Sequence, residues 1–473
     1  MKEKNKVSLT EGPILKALMG LALPIMASSF LGTIYSITDM AWVGLLGAKA
    51  VAGVGVGGMF VWFSQGIASL SRMGGQVYVA QCFGRGEREE AKKYAQTALQ
   101  MSIIFALTFS VLCLVFVKQL VGFFRLEDVE SLQAALVYTK ITCGLILFSF
   151  LNVTLTGIYT AQGDSKTPFL ANFFGVLANM ILDPVLILGV GPFPKLAAAG
   201  AALATVTSQF IVMLVMLIGV ARAKEEENIL KDVCLLEHPN RVVLQHILRM
   251  GGPTALQGTV YCMISMLLTR MVSGFGAEAI ATQRVGGQIE SISWNTADGF
   301  AAALNAFVAQ NYGAGHMERV KKGYRMSFRA VALWGLAITA LFVGFPTPIA
   351  EIFFHEKLAI EIAAGYLVII GFSEAFLCVE LTTIGALSGL GQTKICSIVS
   401  IVITGARIPI ALLLSKTALG IEGIWWALSL TSMLKGVVFY VLFWWKTKKL
   451  QNTMQNFTKR EYVRRMNINT MRK

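Results

Sequence analysis

The chain has 473 residues, of which 55% are hydrophobic and only 14% charged, and its mean hydropathy is +0.63, against roughly 25% charged in a soluble domain. That balance excludes a soluble fold, and long continuous apolar runs in place of ten-residue alternation exclude a β-barrel. The net charge of +14 is not gathered into a basic patch with interleaved aromatics, so nucleic acid is not expected as a partner.

A membrane-crossing helix needs about 20 mostly apolar residues. Twelve segments meet that need, at 16–45, 51–80, 95–121, 133–159, 169–190, 198–221, 248–273, 279–310, 327–346, 359–387, 395–415 and 421–445. The N-terminal "MKEKNKVSLTEGPILKALMGLALP" has no A-x-A cleavage site and runs on into the first span, so it is read as a retained helix. Within that span "GTIYSITDMAWVGLLG" carries Asp39, with Tyr35 four residues before it on the same helix face. An ionisable group there costs at least about a few kcal/mol and is a functional-site hypothesis by default. Span two ends in "VAQCFGRGEREEAKK", a tight glycine turn that reads as a hinge or, more simply, as a solvated loop with topogenic charges. Span four brings Tyr138 near its outer end. Span five holds Asn179, Asp183 and Pro184, and span six holds Thr205. From helix rise, Asp39 and Asp183 both lie roughly 10 Å below the outer ends of their spans, the common depth that a shared cavity requires. A plain alternative for Asp183 is an N-cap with Pro184 at the first helical position.

Residues 222–249 form the most polar long stretch of the interior, a plausible cytoplasmic linker. The spans after it carry Glu290, Asp298, Glu374 and Glu380 with Arg270, Arg284 and Arg407. Mixed signs within one bundle suggest ion pairs first and a second cation-binding patch, led by Glu290 and Glu380, second. Basic residues concentrate in the even-numbered loops and in the 446–473 tail, which by the positive-inside rule places both termini in the cytoplasm of a cell-membrane protein. The tail suits an anionic inner leaflet. Seven scattered cysteines without a C-x-x-C pair, and four histidines without ligand spacing, offer no disulfide or metal framework.

The chain repeats itself. "LGAKAVAGVGVGG" at 46–58 returns as "FGAEAIATQRVGG" at 275–287, and "VAQCFGRGEREEAKK" at 79–93 as "VAQNYGAGHMERVKK" at 308–322; "AQGDSKT" at 161–167 is answered by "GLGQTKI" at 389–395. The expected fold is all-α, two parallel six-helix lobes spanning 1–221 and 248–446, with a linker at 222–247 and a basic tail at 447–473. Parallel repeats of this kind are a transporter architecture.

The first span "LALPIMASSFLGTIYSITDMAWVG", the "GAKAVAGVG" loop, the duplicated "VAQ-x-x-G-x-G", "AQGDSKTP" and the N-x-x-x-D-P of span five resemble the multidrug and toxic compound extrusion (MATE) family over about residues 10 to 446. The resemblance implies cation-driven export of drug-like, often cationic compounds. It carries over to Asp39, Asn179 and Asp183 as ion-coupling residues and, through weaker matches, to Tyr35, Tyr138 and Thr205 as substrate-binding residues. The coupling ion would be H⁺, or Na⁺ with Asp39 and Asp183 as its ligands, with no cofactor and a monomeric chain. Protonation or Na⁺ entry from outside would neutralise Asp39, repack the helix and release substrate, Pro24 and Pro184 permitting the bend. In the repeat register Asp39 and Asp183 correspond to Leu268 and Ala411, and the region after Pro253 has no acid. That departs from the NorM pattern and favours a DinF-like, first-lobe mechanism. Twenty methionines and 29 phenylalanines would suit a promiscuous cavity, though lipid-facing bulk accounts for most.

The alternative from another class is a lipid-linked oligosaccharide flippase of the same superfamily, against which the acidic first-lobe cavity argues. No G-x-x-x-x-G-K-[ST] loop, soluble nucleotide domain or nucleophile–base pairing supports a pump or an enzyme, and no filter motif supports a channel.

Overall fold

The computed structural model describes residues 7–471 except 125, 127, 191–193, 225–227 and 355; for 48, 232, 273, 277, 278, 280, 281 and 453–471 it describes the backbone alone. Among the described residues there is no strand. The first lobe comprises α1 (Ile14–Gly44), α2 (Ala48–Arg85), α3 (Arg88–Val115), α4 (Val117–Gly122), α5 (Val129–Gly144), α6 (Leu147–Ala161), α7 (Lys166–Leu188) and α8 (Ala198–Arg222). Among the described residues of the linker one 3₁₀ turn forms, Ile229–Asp232. The second lobe comprises α9 (Arg241–Ser273), α10 (Ala277–Gly313), α11 (Met317–Gly344), α12 (Pro346–Phe353), α13 (Lys357–Gly371), α14 (Glu374–Gly389), α15 (Thr393–Gly405), α16 (Arg407–Leu414) and α17 (Ile421–Met471).

Nine stretches among the described residues are long and apolar enough to cross a membrane, and two bent pairs, α5 with α6 and α13 with α14, raise that to eleven. The twelfth expected span, α10, is 37 residues long, but Arg284, Glu290 and Asp298 dilute its hydropathy. Spans four and ten, expected as single helices, each bend by 48° at a break. A break exposes carbonyls that lipid cannot satisfy, and neighbouring hydroxyls take them up: Ser110 Oγ donates to Gly144 O at 3.1 Å and Thr339 Oγ1 to Gly371 O at 2.7 Å. The two breaks occupy matching places in the repeat.

The "GRGE" and "GAGH" turns end α2 and α10. Gly86 and Gly315 adopt left-handed φ of 75° and 77°, and Glu87 N–H returns to Cys82 O at 2.9 Å as His316 N–H does to Asn311 O at 2.8 Å, so each turn is a glycine C-cap.

An approximate two-fold axis runs between α2 and α10. Gln76 Nε2 donates to Asn305 Oδ1 at 3.1 Å, and the two residues stand 229 apart. A Cβ on Gly84 would strike the Gln310 carbonyl, and one on Gly313 would strike the Gln81 carbonyl. Gln81 Nε2 donates to Gly389 O at 3.0 Å, and Gln310 Nε2 to Ala161 O at 2.7 Å. The lobes also exchange the first halves of their leading helices. Ala17, Leu18, Leu21 and Ala22 of α1 are buried with Phe307, Leu387 and Phe443 of the second lobe, while Val243 and Ile247 of α9 are buried with Val79, Ala95 and Ile158 of the first. All these contacts fall at the end of the molecule that carries Val7 to Gly12 and the C-terminal half of α17, the chain-end side, where Arg319 also binds the carbonyls of Leu9, Glu11 and Gly12.

Candidate functional site

In the second halves of α1 and α7 the expected residues converge. Tyr35 Oη lies 3.0 Å from Thr205 Oγ1 of α8, and Asn179 Nδ2 donates to Asp183 Oδ1 at 3.2 Å, one turn along α7. Asn179 and Asp183 are fully buried. Asp183 sits inside the continuous helix Lys166–Leu188, with Pro184 after it, which removes the N-cap alternative. Tyr138 is buried on α5, its ring seated where Gly57 of α2 leaves room; a Cβ there would stand 2.5 Å from Tyr138 Cδ1. The hydroxyls of Tyr35 and Tyr138 and the carboxyls of Asp39 and Asp183 lie within electrostatic range of one another. Val43, Val54, Ile187 and Ala201 form an apolar wall on the same side as Tyr138. Three buried oxygens, Asp39 Oδ1, Asp183 Oδ2 and Asn179 Oδ1, have no hydrogen-bond partner. Desolvated oxygens left open in this way are what a proton or a hard, oxygen-preferring cation would engage. A cluster of three or more His, Cys, Asp and Glu side chains is absent among the described residues.

Glu290 and Glu380 lie elsewhere, in a second-lobe cluster. Glu380 Oε1 accepts from Lys435 Nζ of α17 at 2.7 Å, with both side chains about 5% exposed. Arg407 donates to Thr431 Oγ1 and Ser432 Oγ, each at 2.9 Å, and Tyr366 Oη to Glu290 Oε2 at 3.4 Å. Tyr366 is the counterpart of Tyr138, seated against Gly286 as Tyr138 is against Gly57. Glu374 is fully buried with neither carboxylate oxygen hydrogen-bonded, and Asp298 of α10 lies within electrostatic range of Arg72 across the lobe boundary. Sequence reasoning passed over Lys435 and Arg72. A lone cation within "LTSMLKGVVFYVLFWW" was the signal for Lys435.

The MatE family model matches residues 24–185 and 253–413, two stretches in the register of the internal repeat. A probable multidrug resistance protein, NorM of Thermotoga maritima, is 30% identical over 426 residues, 89% of this chain and 90% of its own length. The chain belongs to the MatE family. The FAD transporter of Shewanella oneidensis is 25% identical over 93% of this chain and 96% of its own. A solved structure described as the outward-facing conformation of a multidrug resistance MATE family transporter superposes with a TM-score of 0.87 at 22% identity, covering 95% of this chain and all of that one; it establishes the fold. The MatE-family chain is therefore a multi-pass membrane protein of the two-lobe transporter fold, in a family of transporters and not of enzymes.

Proposed function

We propose that the protein is a secondary active antiporter that exports drug-like, often cationic organic compounds in exchange for H⁺ or Na⁺, with Asp39 and Asp183 as the coupling carboxylates and Asn179 beside them. The observation that carries this reading is the unpartnered buried oxygens of Asp39, Asp183 and Asn179, gathered beside Tyr35, Tyr138 and Thr205. Two carboxylates in one desolvated site cannot both stay charged without cost, so the site takes up a proton or cation, or an organic cation, and the two compete. Lobe contacts concentrated at the chain-end side favour a cavity that opens on the opposite face, where a coupling ion entering would displace bound substrate. The α9 helix carries no carboxylate from Arg241 to Ser273, which supports first-lobe, DinF-like coupling. In the second lobe Glu380 is committed to Lys435 and Glu290 to Tyr366, so their part in holding substrate is secondary.

The test is uptake of a fluorescent organic cation into proteoliposomes under an imposed pH gradient, then under a Na⁺ gradient, for the native protein and Asp39→Asn. Transport by the native protein under one gradient and its loss in the variant, at unchanged Tm, is the expected result. Undiminished transport by Asp39→Asn would remove the coupling role. Transport of an anionic dinucleotide or a lipid-linked pyrophosphate, with no response to organic cations, would instead favour a carrier of anions or a flippase.

A further inference from the structure

At the chain-end side of the second lobe, α11 and α17 enclose an open cavity of about 560 Å³, lined by Lys321, Arg325, Trp444, Lys448, Gln451 and Asn452. Three cations converge there. One carboxylate answers them: Glu318 pairs with Lys321 at 3.1 Å, and Gln451 reaches the same ammonium. Arg325 stacks on Trp444, its Cζ 5.0 Å from the ring centroid. Among the described residues neither Arg325 nor Lys448 makes an ion pair.

The repeat says what is missing. Arg325 stands where Gln96 stands in the first lobe, and there the chain fills the place itself: Gln96 Nε2 donates to the Glu237 carboxylate at 3.2 Å, and Gln100 Nε2 to the carbonyls of Leu235 and Glu237 at 3.1 and 2.6 Å. The linker thus lays an acidic residue on α3. In the second lobe no described segment folds back over the matching place, because α17 continues as a helix to Met471, and a cation replaces the amide. The depth is also marked. The apolar run of α17 ends at Trp444 and Trp445, with Lys446 and Lys449 over the Trp445 ring at 5.0 and 5.7 Å, the aromatic belt and basic flank of a membrane interface. Tyr440, Trp444 and Lys448 succeed one another by one turn, leading from the apolar span into the cavity.

We propose that this cavity binds the phosphate of an anionic phospholipid headgroup, with Arg325 and Lys448 on its oxygens, Gln451 and Asn452 on the polar headgroup, and an acyl chain along the exposed Tyr440 and Val441 side of α17. Basic pockets at headgroup depth beside a spanning helix suit that chemistry. A free phosphate would share the contacts with Arg325 and Lys448 and lack the contact along α17.

The experiment is native mass spectrometry of the full-length protein in detergent, titrated with dioleoyl phosphatidylglycerol, with dioleoyl phosphatidylcholine, and with phosphatidylglycerol in the presence of inorganic phosphate. The native protein is expected to retain phosphatidylglycerol about tenfold or more tightly than phosphatidylcholine, and Arg325→Gln with Lys448→Gln to abolish the difference. Lys322→Gln with Arg329→Gln, which removes two exposed cations outside the cavity, is expected to keep it. Should the double variant misfold, Lys448→Gln alone, at an exposed position, carries the test. Equal retention of the two lipids, or equal loss in both pairs of variants, overturns the proposal. Displacement of phosphatidylglycerol by inorganic phosphate at the same concentration overturns the lipid assignment in favour of a free phosphate.

Discussion

Asp39 enters as one carboxylate in an apolar helix, and its neighbours decide what it can do. Tyr35 shares its helix, but the Tyr35 hydroxyl is turned to Thr205 of α8 at 3.0 Å, so Asp39 Oδ1 is left without a partner. A structural hydrogen bond would have closed that oxygen. The contrasting case is Glu380, whose charge is balanced by Lys435 Nζ at 2.7 Å from its Oε1, although its Oε2 also has no hydrogen-bond partner. Removing one member of such a buried pair leaves the other charged and unpaired, so Glu380→Gln is expected to destabilise the protein by about 3–5 kcal/mol, whereas Glu380→Gln with Lys435→Met recovers most of that loss. Thermal unfolding of the two purified variants in one detergent checks it. Equal Tm values for the two variants would mean that Lys435 left without Glu380 carries no penalty. For Asp39→Asn the expectation is the reverse pattern, unchanged Tm with gradient-driven export lost.

At the scale of elements, hydrophobic period and length located the spans but not their bends. Continuous apolar composition across Gly144 and Gly371 reads as unbroken helix; the helices bend there, and Ser110 and Thr339, on other helices, donate to the freed carbonyls. Ser110→Ala and Thr339→Val should each cost about 1–3 kcal/mol by leaving a part-buried acceptor without its donor, seen as a lowered Tm with helix content unchanged by circular dichroism. The α2–α5 contact obeys the same logic. Gly57→Ala places a Cβ against the Tyr138 ring and is expected to reduce cation export by displacing a wall of the acidic site. Gly58→Ala, one residue on and with open space around it, should leave export near the native rate. Sequence could single out Tyr138 through family resemblance, but the seat made by Gly57 is a contact between helices and has no local signal.

For the whole molecule, the two-fold relation ties the lobes together at one end. Gly84 and Gly313 each meet a carbonyl of the opposite lobe, and the first halves of α1 and α9 are buried in each other's lobe. Gly84→Val is therefore expected to force the lobes apart, lowering stability by about 1–3 kcal/mol through overpacking and lowering export as well. The readouts are Tm and proteoliposome uptake, and native values of both would show that the lobes need not close at this end. By itself, the amino-acid sequence determined the membrane class, most of the spans, the 229-residue repeat and the carboxylates worth testing, because apolar length, periodicity and duplication are written along the chain. Only the tertiary structure decided which of those carboxylates have a cation beside them and which do not. That depends on how helices distant in sequence rotate and approach one another, as Glu380 and Lys435 do from α14 and α17, and no local pattern encodes that approach.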